Sequence, residues 1–258
     1  MKYLKLFDGD GRKYQMKLIS DVQPLKDKTI SALNVRSGEK YVDIGCGKGV
    51  DAIRIAEMSG PTGLVMGIAL KDSALQSARG LAMEKGMESW VQFIKADACN
   101  LPLADEQFDG CNCERVLQHL SDPFRAVREM SRVLKHGGRV VLMDTDWSTF
   151  AIDCDDMEIV INCEMKFRKN STSGRRLFAF ARSAGIFDIQ VTTSTKYFTD
   201  LAYADYVCGI AAMIRNAVIR GVIEIAAGEK LVNELISKDQ KKQFFAMVTG
   251  VLVSGIKS

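Results

Sequence analysis

The stretch YVDIGCGKGV, residues 41–50, decides the fold. An apolar strand leads into Gly45, Gly47 and Gly49, and a helical stretch begins directly after them. Glycines let a backbone turn sharply and approach a ligand where a Cβ would clash. The N–H groups at the start of the next helix have no partner within that helix and can bind a ligand. A tight strand-to-helix connection without a ligand is the alternative interpretation.

The spacing of these glycines restricts the ligand class. A dinucleotide site has the pattern GxGxxG, but Val50 stands where the third glycine of that pattern would be. Asp43, two residues before the first glycine, would repel a pyrophosphate. The same carboxylate suits the ammonium of an amino-acid moiety, so the loop favours a ligand with such a group.

Strands and helices alternate around this loop. The pattern predicts strands at Lys40–Ile44, Leu64–Ala69, Val91–Lys95, Phe108–Glu114 and Arg139–Asp146. It predicts helices at Val50–Met58, Ser73–Lys85 and Asp122–Leu134. Short apolar strands alternating with helices indicate βαβ units, and hence an α/β fold with a doubly wound, mostly parallel sheet.

The pattern changes beyond Trp147. Residues 150–184 are expected to be mainly helical, and residues 200–238 to form two or more helices. Strands are predicted at Phe187–Thr195 and Phe244–Ile256, which gives a seven-stranded sheet. The late helices lie between the last two strands, so they are predicted to form a cap inserted before the final strand.

Composition excludes several classes of protein. The 258 residues are 47% hydrophobic and 26% charged with a net charge of +3 and no basic stripe, which argues against a nucleic-acid binder. No apolar run approaches the ~20 residues of a membrane span, and the N-terminus lacks the core of a signal peptide. Seven scattered cysteines and two histidines indicate reduced thiols in a cytoplasmic protein, and no metal site is expected.

Three stretches together resemble one enzyme family. VDIGCGKG is similar to motif I of class I S-adenosylmethionine-dependent methyltransferases, and the similarity continues in KADACNLPLADEQFD (95–109) and ERVLQHLSDPFRAVREMSRVLKHGGRVVLMD (114–144). These stretches resemble the small-molecule branch that contains quinone-biosynthesis C-methyltransferases and natural-product methyltransferases. The resemblance implies a Rossmann-like methyltransferase core at 31–198 and 243–258 with a cap at 199–242. It also implies a lid segment at 1–30, which contains Tyr3, Phe7 and Tyr14, although these three aromatic residues can equally be ordinary packing residues.

The resemblance assigns a cofactor site to the strand ends. The glycine-loop backbone would pack against the methionine part of S-adenosylmethionine, and Asp97 would accept a hydrogen bond from the adenine amino group. Asp97 can also be a turn or helix-capping residue, and the two roles can coexist, although the sequence DAxxLP favours the adenine contact. Arg115 can equally be a structural ion-pair residue. The residues expected to bind the cofactor are Asp43, Gly45, Cys46, Gly47, Gly49, Leu70, Asp97, Ala98, Glu114 and Arg115.

The second strand departs from the family pattern. It usually ends VxGxDxS, and its aspartate holds both ribose hydroxyls, but VMGIALK places Ala69 at that position and Lys71 in place of the serine. The loss of a charged acceptor is expected to weaken binding by ~1.5–3 kcal/mol. Asp72 is the nearest carboxylate, and an N-cap role is the simpler interpretation of it.

The substrate side carries fewer signals. Alignment with the WxxHDWSD stretch of plant-type O-methyltransferases places their catalytic histidine at Gln118, which cannot take a proton, and leaves His119 as a helix-end residue. His136 is expected to end a helix. Asp144 or Asp146 can orient or deprotonate a substrate, or belong to a polar turn. The residues expected near a substrate are Tyr14, Gln118, Asp146 and Trp147.

The sequence therefore predicts S-adenosylmethionine-dependent methyl transfer to an O, N or C atom of a small molecule, without naming a catalytic residue. Two alternatives remain open because of Ala69. One is a methyltransferase-fold protein with non-methylating chemistry such as a cyclisation or rearrangement. The other is a degenerate binding protein. A homo-oligomer is compatible with the sequence.

Overall fold

A computed structural model describes residues 11–167 and 169–258 of the chain. Its strands are β1 Lys40–Ile44, β2 Leu64–Ala69, β3 Val91–Lys95, β4 Phe108–Glu114, β5 Leu134–Ile152, β6 Ile186–Phe198 and β7 Ala246–Lys257. Its helices are α1 Gly11–Leu33, α2 Val50–Ser59, α3 Asp72–Glu84, α4 Pro123–Val133, α5 Met157–Phe167, α6 Ser173–Ser183, α7 Leu201–Cys208, α8 Ile210–Ile219 and α9 Ile225–Gln240. A short 3₁₀ helix, Leu117–His119, follows β4.

The seven strands form one sheet in the order β3-β2-β1-β4-β5-β7-β6. β1 pairs in parallel with β2 on one side and with β4 on the other, and β2–β3 and β4–β5 are also parallel pairs. The carboxyl ends of β1 to β4 therefore share one edge of the sheet, where open parallel sheets bind ligands. β5 passes this edge after Met143, which pairs with Glu114. The predicted seven-stranded Rossmann-like fold is confirmed.

The first four strands have the predicted bounds, but the region after α4 differs. β5 begins at Leu134, directly after the last residue of α4, and runs to Ile152. The prediction that His136 ends a helix is wrong, because His136 lies within β5. Its Nε2 lies 2.9 Å from Glu106 Oε1, and its Nδ1 contacts the Ser258 carbonyl oxygen.

The start of α4 follows its sequence signals. Asp122 is the N-cap, and its Oδ1 accepts a hydrogen bond of 2.9 Å from the backbone N–H of Arg125. Pro123 occupies the first helical turn, where a missing N–H costs nothing. The buried side chains of this helix include Val127, Met130 and Val133 at helical spacing.

The chain divides into two compact units. Among the described residues, unit 1 contains 11–25, 145–167, 169–172 and 193–250, and unit 2 contains 26–144, 173–192 and 251–258. The core of unit 2 includes side chains from β1, β2, β4, β5, β7, α4 and α6, whereas that of unit 1 is formed largely by α5, α7, α8 and α9. The predicted lid at 1–30 and cap at 199–242 stay predictions, and Tyr3 and Phe7 lie outside the described residues.

Among the described residues, no helix is both long and apolar enough to cross a membrane.

Candidate active site

The glycine loop after β1 has the backbone conformation that its sequence predicts. Gly45, Gly47 and Gly49 have φ values of +74°, +54° and +81°, in the left-handed region that other residues rarely adopt. A Cβ on Gly45 would lie 2.2 Å from Val116 Cγ2, and one on Gly49 would lie 2.9 Å from the Ala78 Cβ. Gly47 differs, because a Cβ there would meet no atom closer than a backbone oxygen at 3.9 Å. The loop is therefore packed on both sides and open in the middle.

Backbone hydrogen bonds fix this loop to the sheet. The N–H of Cys46 donates to the Ile68 carbonyl oxygen over 2.9 Å, which ties the loop to β2. The N–H of Gly49 donates to the Cys46 carbonyl oxygen over 2.8 Å, and α2 starts at the next residue. The Cys46 thiol is buried, and burial raises its pKa to about 12, so it stays protonated at neutral pH. The loop thus presents a fixed backbone rather than a reactive thiol.

Asp43 is a buried carboxylate beneath the loop. It is 3% exposed, and its Oδ1 accepts a hydrogen bond of 2.8 Å from Asn112 Nδ2 on the neighbouring strand β4. Its Oδ2 has no hydrogen-bond partner, and neither has Asn112 Oδ1. Burial first, and then the charge of Asp51, raise the pKa of Asp43 to about 8. Without a ligand, Asp43 therefore keeps its proton at neutral pH, whereas a cationic ligand beside it would favour the ionised carboxylate and a donor would satisfy Oδ2.

An ion cluster lies beside Asp43. Lys26 Nζ of α1 lies 2.5 Å from Asp51 Oδ2 in the first turn of α2 and 3.4 Å from Glu114 Oε1 at the end of β4. The side chains of Lys26, Asp51 and Glu114 are 16%, 18% and 7% exposed. Sequence reasoning missed Lys26, because it lies well before the loop in the chain and α1 shows no motif there.

Glu114 and Arg115 lie at the rim where β4 ends, as expected. Arg115 has a φ of +55°, and its N–H donates to the Met143 carbonyl oxygen over 2.7 Å. Its Nε lies 3.3 Å from Glu114 Oε1, so Arg115 also forms the ion pair that was its alternative interpretation. The unusual φ turns the chain sharply away from the sheet into the segment that contains Val116, which packs over Gly45.

Asp97 and Ala98 follow β3 at the same edge. Asp97 Oδ1 accepts a hydrogen bond of 2.9 Å from the N–H of Cys99, two residues on, and its carbonyl oxygen accepts one of 3.0 Å from the N–H of Asn100. Asp97 is therefore a turn residue, as its alternative interpretation proposed. A carboxylate has a second oxygen and several lone pairs, so this turn leaves capacity for a ligand. Ala98 is 6% exposed.

The end of β2 shows the consequence of Ala69. This alanine pairs with Lys95 across the parallel β2–β3 ladder, and Leu70 after it is 56% exposed. The N-cap interpretation of Asp72 is wrong, because Lys71 is the N-cap of α3 and Asp72 is its first helical residue. The Asp72 carboxylate instead lies 2.6 Å from Lys95 Nζ. No carboxylate stands at position 69, so the acidic residue of the family pattern has no direct replacement there.

A second buried carboxylate, Asp144, lies within β5, one residue after Met143, which pairs with the last residue of β4. Asp144 is fully buried, and its Oδ2 accepts hydrogen bonds from the Gln118 N–H over 2.9 Å and from Ser173 Oγ over 2.7 Å. Its Oδ1 has no partner. Burial raises the pKa of Asp144 to about 7, and the two hydrogen bonds oppose that shift. Asp144 thereby fixes the 3₁₀ helix that carries Gln118, which is itself 9% exposed.

The other residues expected near a substrate belong to unit 1. Tyr14 stacks on Tyr203 with ring centroids 5.9 Å apart. Asp146 is 2% exposed, and its Oδ1 accepts a hydrogen bond of 2.6 Å from Ser148 Oγ. Trp147 packs against the core of unit 1. Their role as pocket residues stays a prediction, as does that of Gln118.

All ten residues expected to bind the cofactor belong to unit 2. They follow, or lie in, four neighbouring parallel strands, which brings Asp43 and the glycine loop to the same edge as Leu70, Asp97 and Glu114. Within the described residues, no group of three or more His, Cys, Asp or Glu side chains is arranged to hold a metal ion.

Comparison with known proteins gives one family. A family model described as a methyltransferase domain matches residues 35–196. An uncharacterized 37.1 kDa protein in transposon TN4556 of Streptomyces fradiae is 33% identical over 228 residues, which cover 87% of this chain and 64% of that protein. The ubiquinone/menaquinone biosynthesis C-methyltransferase UbiE of Pseudomonas putida is 35% identical over 149 residues, or 55% of this chain and 57% of the enzyme. The chain thus spans about three fifths of the length of these curated relatives.

A solved structure supports the fold. The crystal structure of the [4+2]-cyclase SpnF matches with a TM-score of 0.57 and 22% identity, over 91% of this chain and 81% of the cyclase. This likeness concerns the arrangement of strands and helices.

Proposed function

The chain belongs to the methyltransferase-domain family, and we propose that it transfers a methyl group from S-adenosylmethionine to an oxygen, nitrogen or carbon atom of a small molecule. One observation carries the proposal. A glycine loop that is open at Gly47 lies beside the buried Asp43, whose Oδ2 has no partner. These residues fit the amino-acid end of this cofactor, which offers an ammonium to a carboxylate and a slim chain to the glycine backbone.

Each residue at the sheet edge has a defined part in this proposal. Asp43 and Glu114 hold the ammonium, and the backbone of Gly45 to Gly47 packs against the chain that follows. Leu70 covers one face of the adenine, and Asp97 accepts a hydrogen bond from its amino group. Ala98 donates its backbone N–H to the ring. When bound, the cofactor supplies a methyl group on a positively charged sulfur. The protein holds this methyl group and the accepting atom of the substrate in position for the transfer.

The substrate is proposed to be a small molecule. The net charge of +3 with no basic stripe argues against a nucleic acid. Asp144 in β5 and Gln118 in the 3₁₀ helix after β4 are polar residues of unit 2 joined by a hydrogen bond. Burial raises the pKa of Asp144 to about 7, and the hydrogen bond from the Gln118 N–H to its Oδ2 holds Gln118 in place. A cytoplasmic location is proposed from the seven free cysteines of the described chain.

Non-methylating chemistry is the second candidate, and two observations favour it. First, Ala69 stands where the family pattern has the acidic residue that holds the ribose. Second, SpnF, whose structure has a similar fold, is a cyclase. The two candidates differ in what happens to the cofactor. A methyltransferase converts S-adenosylmethionine to S-adenosylhomocysteine in proportion to product, whereas the second candidate leaves it unchanged.

Calorimetry tests the proposal. Wild type is titrated with S-adenosylmethionine and S-adenosylhomocysteine, together with Ala69→Asp and the uncharged control Ala69→Asn. We expect Ala69→Asp to tighten binding about tenfold, the lower end of the range for a charged hydrogen bond, because Lys95 on the paired strand competes for the new carboxylate. Ala69→Asn should tighten binding less. If neither ligand binds any of the three proteins, the proposed function is wrong.

A further inference from the structure

We propose that Lys26 binds the carboxylate of the cofactor's amino-acid end, and that the acidic side chains around it bind the ammonium. This inference rests on the proposed function. It adds to the site a residue of α1 that no sequence motif marks.

The position of Lys26 is the first argument. Its Nζ lies 2.5 Å from Asp51 Oδ2 and 3.4 Å from Glu114 Oε1. Asp51 lies in the first turn of α2, directly after the glycine loop, and Glu114 ends the strand next to β1. The ammonium of Lys26 is thus held between the loop and the strand rim, where the amino-acid end of the cofactor is proposed to lie.

The balance of charge is the second argument. Lys26 contacts the carboxylates of Asp51 and Glu114. The charges of these three side chains also interact electrostatically with the side chain of Asp43. An amino-acid zwitterion matches such a cluster, because its ammonium gains from the carboxylates and its carboxylate requires the cation. A ligand with only negative charge would be repelled by the carboxylates of this cluster.

Asp43 gives an independent sign that the cluster binds a ligand. It is 3% exposed, and its Oδ2 makes no hydrogen bond. A buried carboxylate oxygen without a partner costs stability unless a donor reaches it, and the ammonium of an amino acid is such a donor.

Arg115 is the other cation at Glu114, with its Nε 3.3 Å from Glu114 Oε1. Its side chain is 45% exposed, against 16% for Lys26. Because water screens an exposed charge more strongly than a mostly buried one, Lys26 is the stronger anchor for a carboxylate.

A ligand pair isolates this contact. Binding is measured by calorimetry with S-adenosylhomocysteine and with the analogue that lacks only its α-carboxylate. Wild type should bind the truncated analogue about tenfold to a hundredfold more weakly, since one charge-assisted hydrogen bond is lost. Lys26→Met should bind S-adenosylhomocysteine more weakly by the same factor and no longer distinguish the two ligands. Lys28→Met, an exposed position two residues further along α1, should behave as wild type.

The outcomes separate this inference from the proposed function. If wild type binds both ligands equally, Lys26 is not the anchor, and this result needs no variant to fold. If Lys26→Met loses affinity for both ligands by equal factors, Lys26 only supports the structure, and Lys26→Gln repeats the test with a side chain that can still donate to Asp51. If wild type does not bind S-adenosylhomocysteine, both the proposed function and this inference are wrong.

Discussion

Substituting Gly45 with alanine should destabilise the protein far more than the same change at Gly47. Both glycines have positive φ values, +74° and +54°, so alanine at either position costs about 1–2 kcal/mol of backbone strain. At Gly45 the new Cβ would also lie 2.2 Å from Val116 Cγ2. Overpacking of this kind costs about 1–3 kcal/mol more. The free energy of unfolding should therefore fall by about 2–5 kcal/mol for Gly45→Ala and by about 1–2 kcal/mol for Gly47→Ala.

Urea unfolding followed by circular dichroism measures both values. The three atoms nearest to a Cβ on Gly45 all belong to Val116, so Val116→Ala provides a direct control. In the double variant Gly45→Ala/Val116→Ala, the second change should recover part of the lost stability, although Val116→Ala alone destabilises. Equal losses at Gly45 and Gly47, or no recovery in the double variant, would refute this account of the loop. Gly47→Ala should instead weaken S-adenosylhomocysteine binding, because the open space at Gly47 is where the ligand is proposed to pack.

Two further predictions concern stability. Burial raises the pKa of Asp43 to about 8 and that of Asp144 to about 7, so the folded protein keeps protons that the unfolded chain has lost above its ordinary pKa of 3.8. The contribution of these groups to the free energy of unfolding therefore falls as the pH rises from about 4 to above 8. Urea titrations at about pH 5.5 and about pH 8.5 measure this loss of stability, and Asp43→Asn should make it smaller. A variant with the full wild-type slope would contradict this. Arg132 pairs with Glu129 and donates to two loop carbonyl oxygens, so Arg132→Met should cost about 1–3 kcal/mol while the exposed Arg128→Met costs almost nothing. Equal stabilities of the two arginine variants in urea would show that the loop does not depend on Arg132.

The elements around the glycine loop were predictable because each has strong local signals. Glycines mark the turn after Ile44, and Asp122 with Pro123 marks the start of α4. The apolar runs of β1 and β2 are short and bounded by polar residues, as in buried parallel strands. The parallel pairing then brings residues from four strands to one edge, which made most of the candidate cofactor site predictable.

Other features depend on contacts between distant residues and left no local signal. His136 lies before two glycines, which usually end a helix, but β5 pairs with β4 from Leu134 onward and extends through this stretch. Asp72 has the sequence position of a cap, but its carboxylate contacts Lys95 on a neighbouring strand instead. Lys26 reaches Asp51 and Glu114 only because α1 packs beside them, and these partners are 25 and 88 residues away in the sequence.

The place of β7 in the sheet has a consequence for biosynthesis. Residues 246–257 form the strand between β5 and β6, although β6 precedes them in the chain. A chain emerging from a ribosome can assemble β1 to β5 while translation continues, but β6 has no neighbour in the sheet until β7 has emerged. Until then β5 has an open edge, and an open strand edge can pair with other chains. Nascent chains stalled before residue 246 are therefore expected to be clients of chaperones.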